Sequence, residues 1–434
     1  MNYDIPQPAP TDGDTAWFTE ARFGLFIHWG LYALAARHEW VKSLEKPSDA
    51  EYQKYFDRFE PDLYDPDRWA QAAADAGMKY FVVTTKHHEG FCLWDTKLTD
   101  YKATNTPAKR DLLRPMVKAF RSRGLRVGFY HSLLDWHHPH YTLDQHHPGR
   151  DSDPSEFNKG RDLSKYADYL HGQTRELLTE FGQVDILWYD FSPAANDKLP
   201  GKGKAEWRSE ELIKLVRSLQ PKIILDDRLE IDQDLKTPEQ FQPATWVQVN
   251  GKPVVWEACQ TFSGSWGYHR DEASWKSVDL LIRMLVDTVS KGGNLLLNVG
   301  PTGRGEFDQR ALDRLEGMGR WLRRHGRSIY GCTQAPSDMK APTDVRYTFN
   351  SKSERLYVHL FAYPFRHLSL PGLKGKVKYA QLLNDASEIK MLESVPEHNY
   401  GAGVQGQSVA NTLTLDLPIP GPSEPVTVVE LFLR

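Results

Sequence analysis

Cysteine is scarce: the chain of 434 residues carries three, Cys92, Cys259 and Cys332, far apart and with no CxxC pair. That spacing excludes a disulfide framework and a thiolate metal centre. An excess of one charge is also missing. With 54 basic against 58 acidic residues the net charge is -4, which leaves no electrostatic footprint for nucleic acid or an anionic membrane surface. No apolar run approaches the roughly 20 residues of a membrane helix, and Met1–Pro10 has neither the basic start nor the apolar core of a secretion signal. The expectation is a cytoplasmic protein acting on small molecules, with no membrane and no nucleic-acid partner. There is no internal repeat, low-complexity tract or long charge block. Aromatic residues, by contrast, are plentiful, with 13 Trp, 19 Tyr and 19 Phe. Aromatic faces hold sugars, and they also fill ordinary cores.

Short β-branched and aromatic runs alternate with helical stretches, the pattern of βαβ units. The runs are Phe23–Trp29, Tyr80–Thr85, Arg126–His131, Val184–Phe191, Lys222–Arg228, Val254–Ala258 and Leu295–Val299. Between them, helices are predicted over Pro66–Ala76, Leu112–Arg123, Leu163–Phe181 and Trp207–Leu219. Asp65 and Pro66 suit a cap and first turn, and Gly77 and Gly124 suit C-terminal stops. The strongest periodicity lies in Trp275–Lys291, where Val278, Leu281, Ile282, Leu285, Val286 and Val289 share one face. Repeated βα units point to an irregular (β/α)8, TIM-like barrel whose eighth strand is not legible. After a helix over Arg310–His325, prolines and short alternating runs replace the helix-bearing units. Residues 335–434 are therefore expected to form an antiparallel β-sandwich following a barrel of residues 1–334.

In a barrel, chemistry gathers where strands end, because the βα loops bring side chains from several strands to one mouth. Polar residues stand at those ends: His28, the pair His87 and His88, Tyr130 with His131, Asp190 and Arg228. Any one alone is ordinary; five together suggest a site. Glycoside hydrolysis commonly uses two carboxyl groups, one to attack the anomeric carbon and one to protonate the departing oxygen. Asp190, after the aromatic run Leu187-Trp188-Tyr189, is the natural nucleophile candidate, although it could equally cap a following turn. A metal site is the competing reading of the histidine-rich stretches, including His137-His138, His140 and His146-His147. Neighbouring histidines on a strand point to opposite faces, and no HExxH occurs. No metal is therefore expected. VGPTGRG lacks the ending of a phosphate loop and reads as a strand-to-helix turn.

Five stretches, ARFGLFIHWGLYALAARHEW, TTKHHEGFCLWDT, DILWYDF, SGSWGYHRDE and VSKGGNLLLNVGPTGRGEF, resemble the α-L-fucosidases of glycoside hydrolase family 29. The resemblance runs from Trp17 to about Gly331. It implies a retaining exo-glycosidase without a cofactor, acting on terminal α-L-fucosides of oligosaccharides or glycoconjugates. By the LW-x-D stretch, it makes Asp190 the nucleophile. It also implies sugar-binding roles for His28, Glu39, Trp40, His87, His88, Tyr130, Trp188 and Arg228. The acid/base position varies within the family. A KT-x-E match, here KTPEQF, implies Glu239, and Glu257 is the alternative because it follows an apparent strand. Glycines in SGSWGY permit a sharp loop that would bring Trp266 to the sugar. Both histidines of KHHEG reach one sugar only if the strand has ended or bulges before them. An exo-glycosidase for a related sugar such as L-galactose, a barrel that binds fucose without turnover, and assembly as a homo-oligomer stay open.

Overall fold

The computed structural model describes residues 3–392 and 410–434. Seven parallel strands line up in one sheet: β1 (Phe23–Ile27), β2 (Tyr80–Lys86), β3 (Arg126–Ser132), β4 (Ile186–Asp190), β5 (Ile224–Leu225), β6 (Glu257–Thr261) and β7 (Asn294–Val299). Their spatial order is β5-β4-β3-β2-β1-β7-β6. Both faces are buried, as a parallel sheet requires. Phe26, Val82, Ile186, Trp188, Ile224 and Leu296 fill the inside. Their neighbours Leu25, Val83, Leu187 and Leu297 pack in a separate outer core with the helices.

The gap between β5 and β6 is closed by the irregular segment 235–240. Leu235 N–H donates to the Leu225 carbonyl at 3.1 Å, Glu257 N–H to Lys236 at 2.9 Å, and Cys259 N–H to Pro238 at 3.1 Å. This segment occupies the eighth barrel position. Its sequence, Leu-Lys-Thr-Pro-Glu-Gln, holds a proline that cannot donate to a ladder and few β-branched residues, so no strand pattern marks it.

The helices fall where the periodicity predicts, within a few residues: α1 (Pro66–Asp75), α2 (Leu113–Ser122), α3 (Leu163–Glu180), α4 (Ser209–Leu219), α5 (Val278–Val289) and α6 (Gln309–His325). The Asp65 carboxylate caps α1 by accepting from Asp67 and Arg68 N–H, and Pro66 opens the first turn. Ser277 caps α5, so that helix starts three residues later than Trp275. Two strands differ more. β5 is only two residues long, and the sixth strand is Glu257–Thr261 rather than Val254–Ala258. No helix forms between β5 and β6.

From Thr333 the pairing becomes antiparallel. Thr333–Gln334, Val345–Asn350, Arg355–Leu360, Thr427–Leu433 and Val377–Leu382 form one sheet in that order, and His367–Pro371, Thr412–Asp416 and Lys390–Leu392 form another. Leu356, Val358, Leu370, Leu415, Val429 and Leu431 share one core across both sheets. Val377–Leu382 and Lys390–Leu392 are strands the sequence pattern does not mark. Among the described residues, no helix is long and apolar enough to cross a membrane.

Candidate active site

Strand alternation alone sends Ile186, Trp188 and therefore Asp190 into the barrel, while Leu187 and Tyr189 face the helices. Asp190 ends β4 at the carboxyl end of the barrel, and Phe191 turns the chain away with a left-handed φ of 75°. A bulky residue held there signals a constrained turn. The Leu133 N–H fixes that turn from β3 by donating to the Asp190 carbonyl at 2.8 Å.

The Asp190 carboxylate is buried and satisfied on both oxygens. Arg228 Nη1 donates to Oδ1 at 2.7 Å, and the Tyr130 hydroxyl donates to Oδ2 at 2.7 Å. Burial raises its pKa above the ordinary aspartate value, and the Arg228 charge opposes that rise. The same guanidinium uses Nη2 to bind Glu239 Oε2 at 2.9 Å. It lies over the Trp188 ring at 4.6 Å and is fixed further by Thr237. Glu239 lies at the upper end of the segment that closes the barrel, where it bridges to Cys259 of β6.

The histidine pair follows a strand that both bulges and ends. The register of β2 against β3 shifts between Thr84 and Lys86, and β2 stops at Lys86, so His87 and His88 leave the alternation and both line the pocket. The Ser132 hydroxyl donates to Leu134 O at 2.8 Å, so it accepts from His88 Nδ1 at 2.6 Å. This assigns the proton of His88 to Nδ1 and leaves the Nε2 lone pair 3.7 Å from Asp190 Oδ2. His28 is set the same way. Asn298 Nδ2 donates to Trp266 O at 2.6 Å, which turns Asn298 Oδ1 toward His28 Nδ1 at 2.7 Å. Burial holds all three imidazoles neutral, lowering His28 to about 3 and His87 and His88 well below the usual range.

Glu89, the third residue of the HHE stretch, does not line the pocket. It accepts from Leu31 N–H at 2.8 Å and from the Tyr52 hydroxyl, tying down the loop after β1. Gly90 then turns with a φ of +87°, and a side chain there would strike the Asp135 carboxylate.

The pocket wall comprises Phe26, His28, Trp40, His87, His88, Tyr130, Trp188, Asp190, Phe191, Glu239, Cys259 and Trp266. Residues proposed from sequence account for most of it, and Phe26, Phe191 and Cys259 are additions. Arg228 and Glu39 stand behind the wall. Glu39 Oε2 accepts the N–H groups of Trp266 and Gly267 at 3.1 and 2.8 Å, so it shapes the loop that presents Trp266. Burial raises it to about 7. Glu257 is elsewhere. It opens β6 opposite Asn294, the first residue of β7, and accepts from the hydroxyl of Tyr80, the first residue of β2. That is the opposite end of the barrel, because the true strand begins where the sequence pattern suggested it was ending. Ser132 and Asn298, which orient the histidines, were missed; their signal was a polar residue at or near the end of an apolar strand. Of the loop histidines, His146 packs on Trp40 and Phe191 at the rim, and His137 stacks on Tyr101.

Known proteins resemble this chain over most of its length. The alpha-L-fucosidase family profile matches residues 8–327. The plasma alpha-L-fucosidase of Homo sapiens is 30% identical over 410 residues, 87% of this chain and 81% of that protein. Among solved structures, alpha-L-fucosidase isoenzyme 1 from Paenibacillus thiaminolyticus is 44% identical with a TM-score of 0.88, covering 97% of this chain and 98% of that one. An alpha-L-fucosidase GH29 from Bacteroides thetaiotaomicron, trapped as a covalent intermediate with 2-fluoro-fucosyl fluoride, is 28% identical with a TM-score of 0.82 over 100% of both chains. The chain belongs to the α-L-fucosidase family of glycoside hydrolases, family 29.

Proposed function

We propose that this pocket hydrolyses terminal α-L-fucosides with retention, with Asp190 as nucleophile and Glu239 as acid/base. In the first step an Asp190 oxygen attacks C1 of the fucoside while Glu239 gives its proton to the departing oxygen. In the second, Glu239 takes a proton from water, the resulting oxygen attacks C1, and L-fucose leaves with Asp190 restored. One observation carries this assignment: a single guanidinium, Arg228, binds both carboxyls. Negative charge sits on Asp190 before attack and on Glu239 once the fucosyl ester has formed, and Arg228 faces one anion in either state. It therefore needs no reorganisation between steps.

The fucose hydroxyls supply what the empty-handed imidazoles require. His88 Nε2 and Asp190 Oδ2 are both acceptors 3.7 Å apart, and a sugar O–H between them donates to either one. His28 presents a second acceptor through the same tautomer logic, and Trp40, Trp188 and Trp266 give apolar walls to the sugar ring. A barrel that only binds fucose has no support from this arrangement, since both carboxyls line the pocket. The test is NMR of the first sugar released from an aryl α-L-fucoside. The α-anomer is expected; first release of the β-anomer would remove Asp190 from its role.

A further inference from the structure

Trp188 carries the groups that hold Asp190. Arg228 lies over its ring at 4.6 Å, and the Tyr130 ring stacks beside it at 6.0 Å. Both of these side chains donate to Asp190, so a tilt of the indole reaches two donors of the carboxylate at once. A Trp buried this deeply also has a polar edge to satisfy. Trp188 Nε1 and Glu257 Oε1 are both buried, and among the described residues neither hydrogen-bonds to a third group. They face one another: burial raises the Glu257 pKa, and the Tyr80 hydroxyl and the Trp188 indole N–H both oppose that rise. A buried donor and acceptor that do not meet each forfeit a hydrogen bond to water.

We propose that Glu257, at the far end of the barrel from the sugar, is a positioning residue: its Oε1 takes the Trp188 indole N–H and sets the plane that carries Arg228 and Tyr130 against Asp190. The inference rests on Asp190 being the nucleophile. Glu257 is itself held from three strands. Its Oε2 accepts from the Tyr80 hydroxyl of β2. The Tyr80 oxygen accepts from Asn294 Nδ2 of β7 at 3.3 Å, and the same Nδ2 donates to the Phe18 carbonyl at 2.8 Å. The Tyr80 ring lies so close over Gly24 of β1 that a side chain there would strike it. The carboxyl is thus a fixed point, and an acceptor held from behind orients its donor more firmly than apolar contact does. A small error in placing Arg228 or Tyr130 is enough to slow attack at C1.

The first test follows the Trp188 indole N–H by NMR in the full chain carrying isotopically labelled tryptophan, its signal identified by its loss in Trp188→Phe. An N–H donated to a carboxyl is held more strongly once that carboxyl ionises. The signal should therefore move as pH rises through about 8, where burial places Glu257, and should stay still in Glu257→Gln. The other titratable or charged groups facing Glu257 are Tyr80 and Cys259, both pushed up by burial, and Arg22, which donates to Asn294 at 3.5 Å. All three remain in that variant, so movement there would overturn the proposal, as would a still signal in the unaltered protein. The second test is kinetic. Glu257→Met keeps the bulk and removes the acceptor, and kcat is expected to fall about tenfold on good and poor leaving groups alike. Glu257→Gln should stay within about twofold. Full activity in Glu257→Met, or an equal fall in both variants, would overturn the role, and if Glu257→Met does not fold the indole signal decides. An unaltered protein without turnover would strike the fucosidase reading instead, since the indole signal needs none.

Discussion

Arg228 spans the two carboxyls of the site, with Nη1 at 2.7 Å from Asp190 Oδ1 and Nη2 at 2.9 Å from Glu239 Oε2. A lysine has one point charge and no fork, so Arg228→Lys can face only one carboxylate well. The expected result is a fall in kcat of about 10²–10³-fold. Burial raises Asp190 and Arg228 holds it down, so the acid limb of the kcat/KM profile should also move to higher pH. An unchanged acid limb would show that the guanidinium does not control Asp190.

Removal of the Asp190 carboxylate is the sharpest test of the two-step route. Asp190→Ala is expected to lose at least about 10³-fold in turnover. Fucose binding through His28, His87 and His88 should persist in a titration. Azide should restore part of the rate and give a β-L-fucosyl azide; an α-azide would contradict attack from the vacated side.

Proton donation has its own signature. Glu239→Ala should slow substrates with poor leaving groups far more than an activated aryl fucoside, because only the former need the proton in the first step. Glu257 lies at the other end of the barrel against Tyr80, so Glu257→Gln should show no such leaving-group selectivity. Selective loss in the Glu257 variant would move the role there.

Ser132 never lines the pocket, yet it fixes which nitrogen of His88 is protonated. Ser132→Ala frees that tautomer and should lower kcat/KM by about tenfold. Ser132→Thr, which keeps the hydroxyl, should restore most of it. Equal loss in both variants would mean that packing, not the hydroxyl, matters.

Buried titrating groups set opposite limbs of the stability profile. Glu257 is raised to about 8 by burial, so its folded form holds a proton that the unfolded chain releases above its ordinary value of 4.5. Stability from this group is present at low pH and is lost as pH rises through about 8. Glu39 and Glu89, each raised to about 7 by burial, act in the same direction. The buried histidines act oppositely. His28 and His359, both lowered to about 3 by burial, lose stability as pH falls below 6.5, because the unfolded chain takes up protons first. Glu257→Gln mimics the neutral acid, so the drop in Tm between about pH 6 and pH 9 should shrink while the acid limb stays. An unchanged alkaline limb would show that Glu257 is not the proton holder.

The sequence by itself determined the strands and helices whose hydrophobic period is local. Strand β4, Ile186–Asp190, is legible because its apolar run is buried on both faces, and helix α5 because one face repeats every three to four residues. It also determined most of the pocket, since a parallel barrel places the residue at each strand's carboxyl end at the mouth; His28, His87, Tyr130 and Asp190 needed no more than that. Only the tertiary structure decided what depends on partners distant in the chain. The eighth barrel position is held by isolated hydrogen bonds from 235–240 to two other strands, and no local pattern records them. That Glu239 lines the pocket and Glu257 does not follows from where β6 starts, three residues later than its β-branched run suggests. The bulge at Thr84–Lys86, which brings both histidines to one pocket, is a register shift against β3. The protonated nitrogens of His28 and His88 are chosen by Asn298 and Ser132, residues brought close by the barrel's closure. A side chain's periodicity is written in its neighbours along the chain, whereas its proton, its register and its partner are set by atoms that only folding brings near.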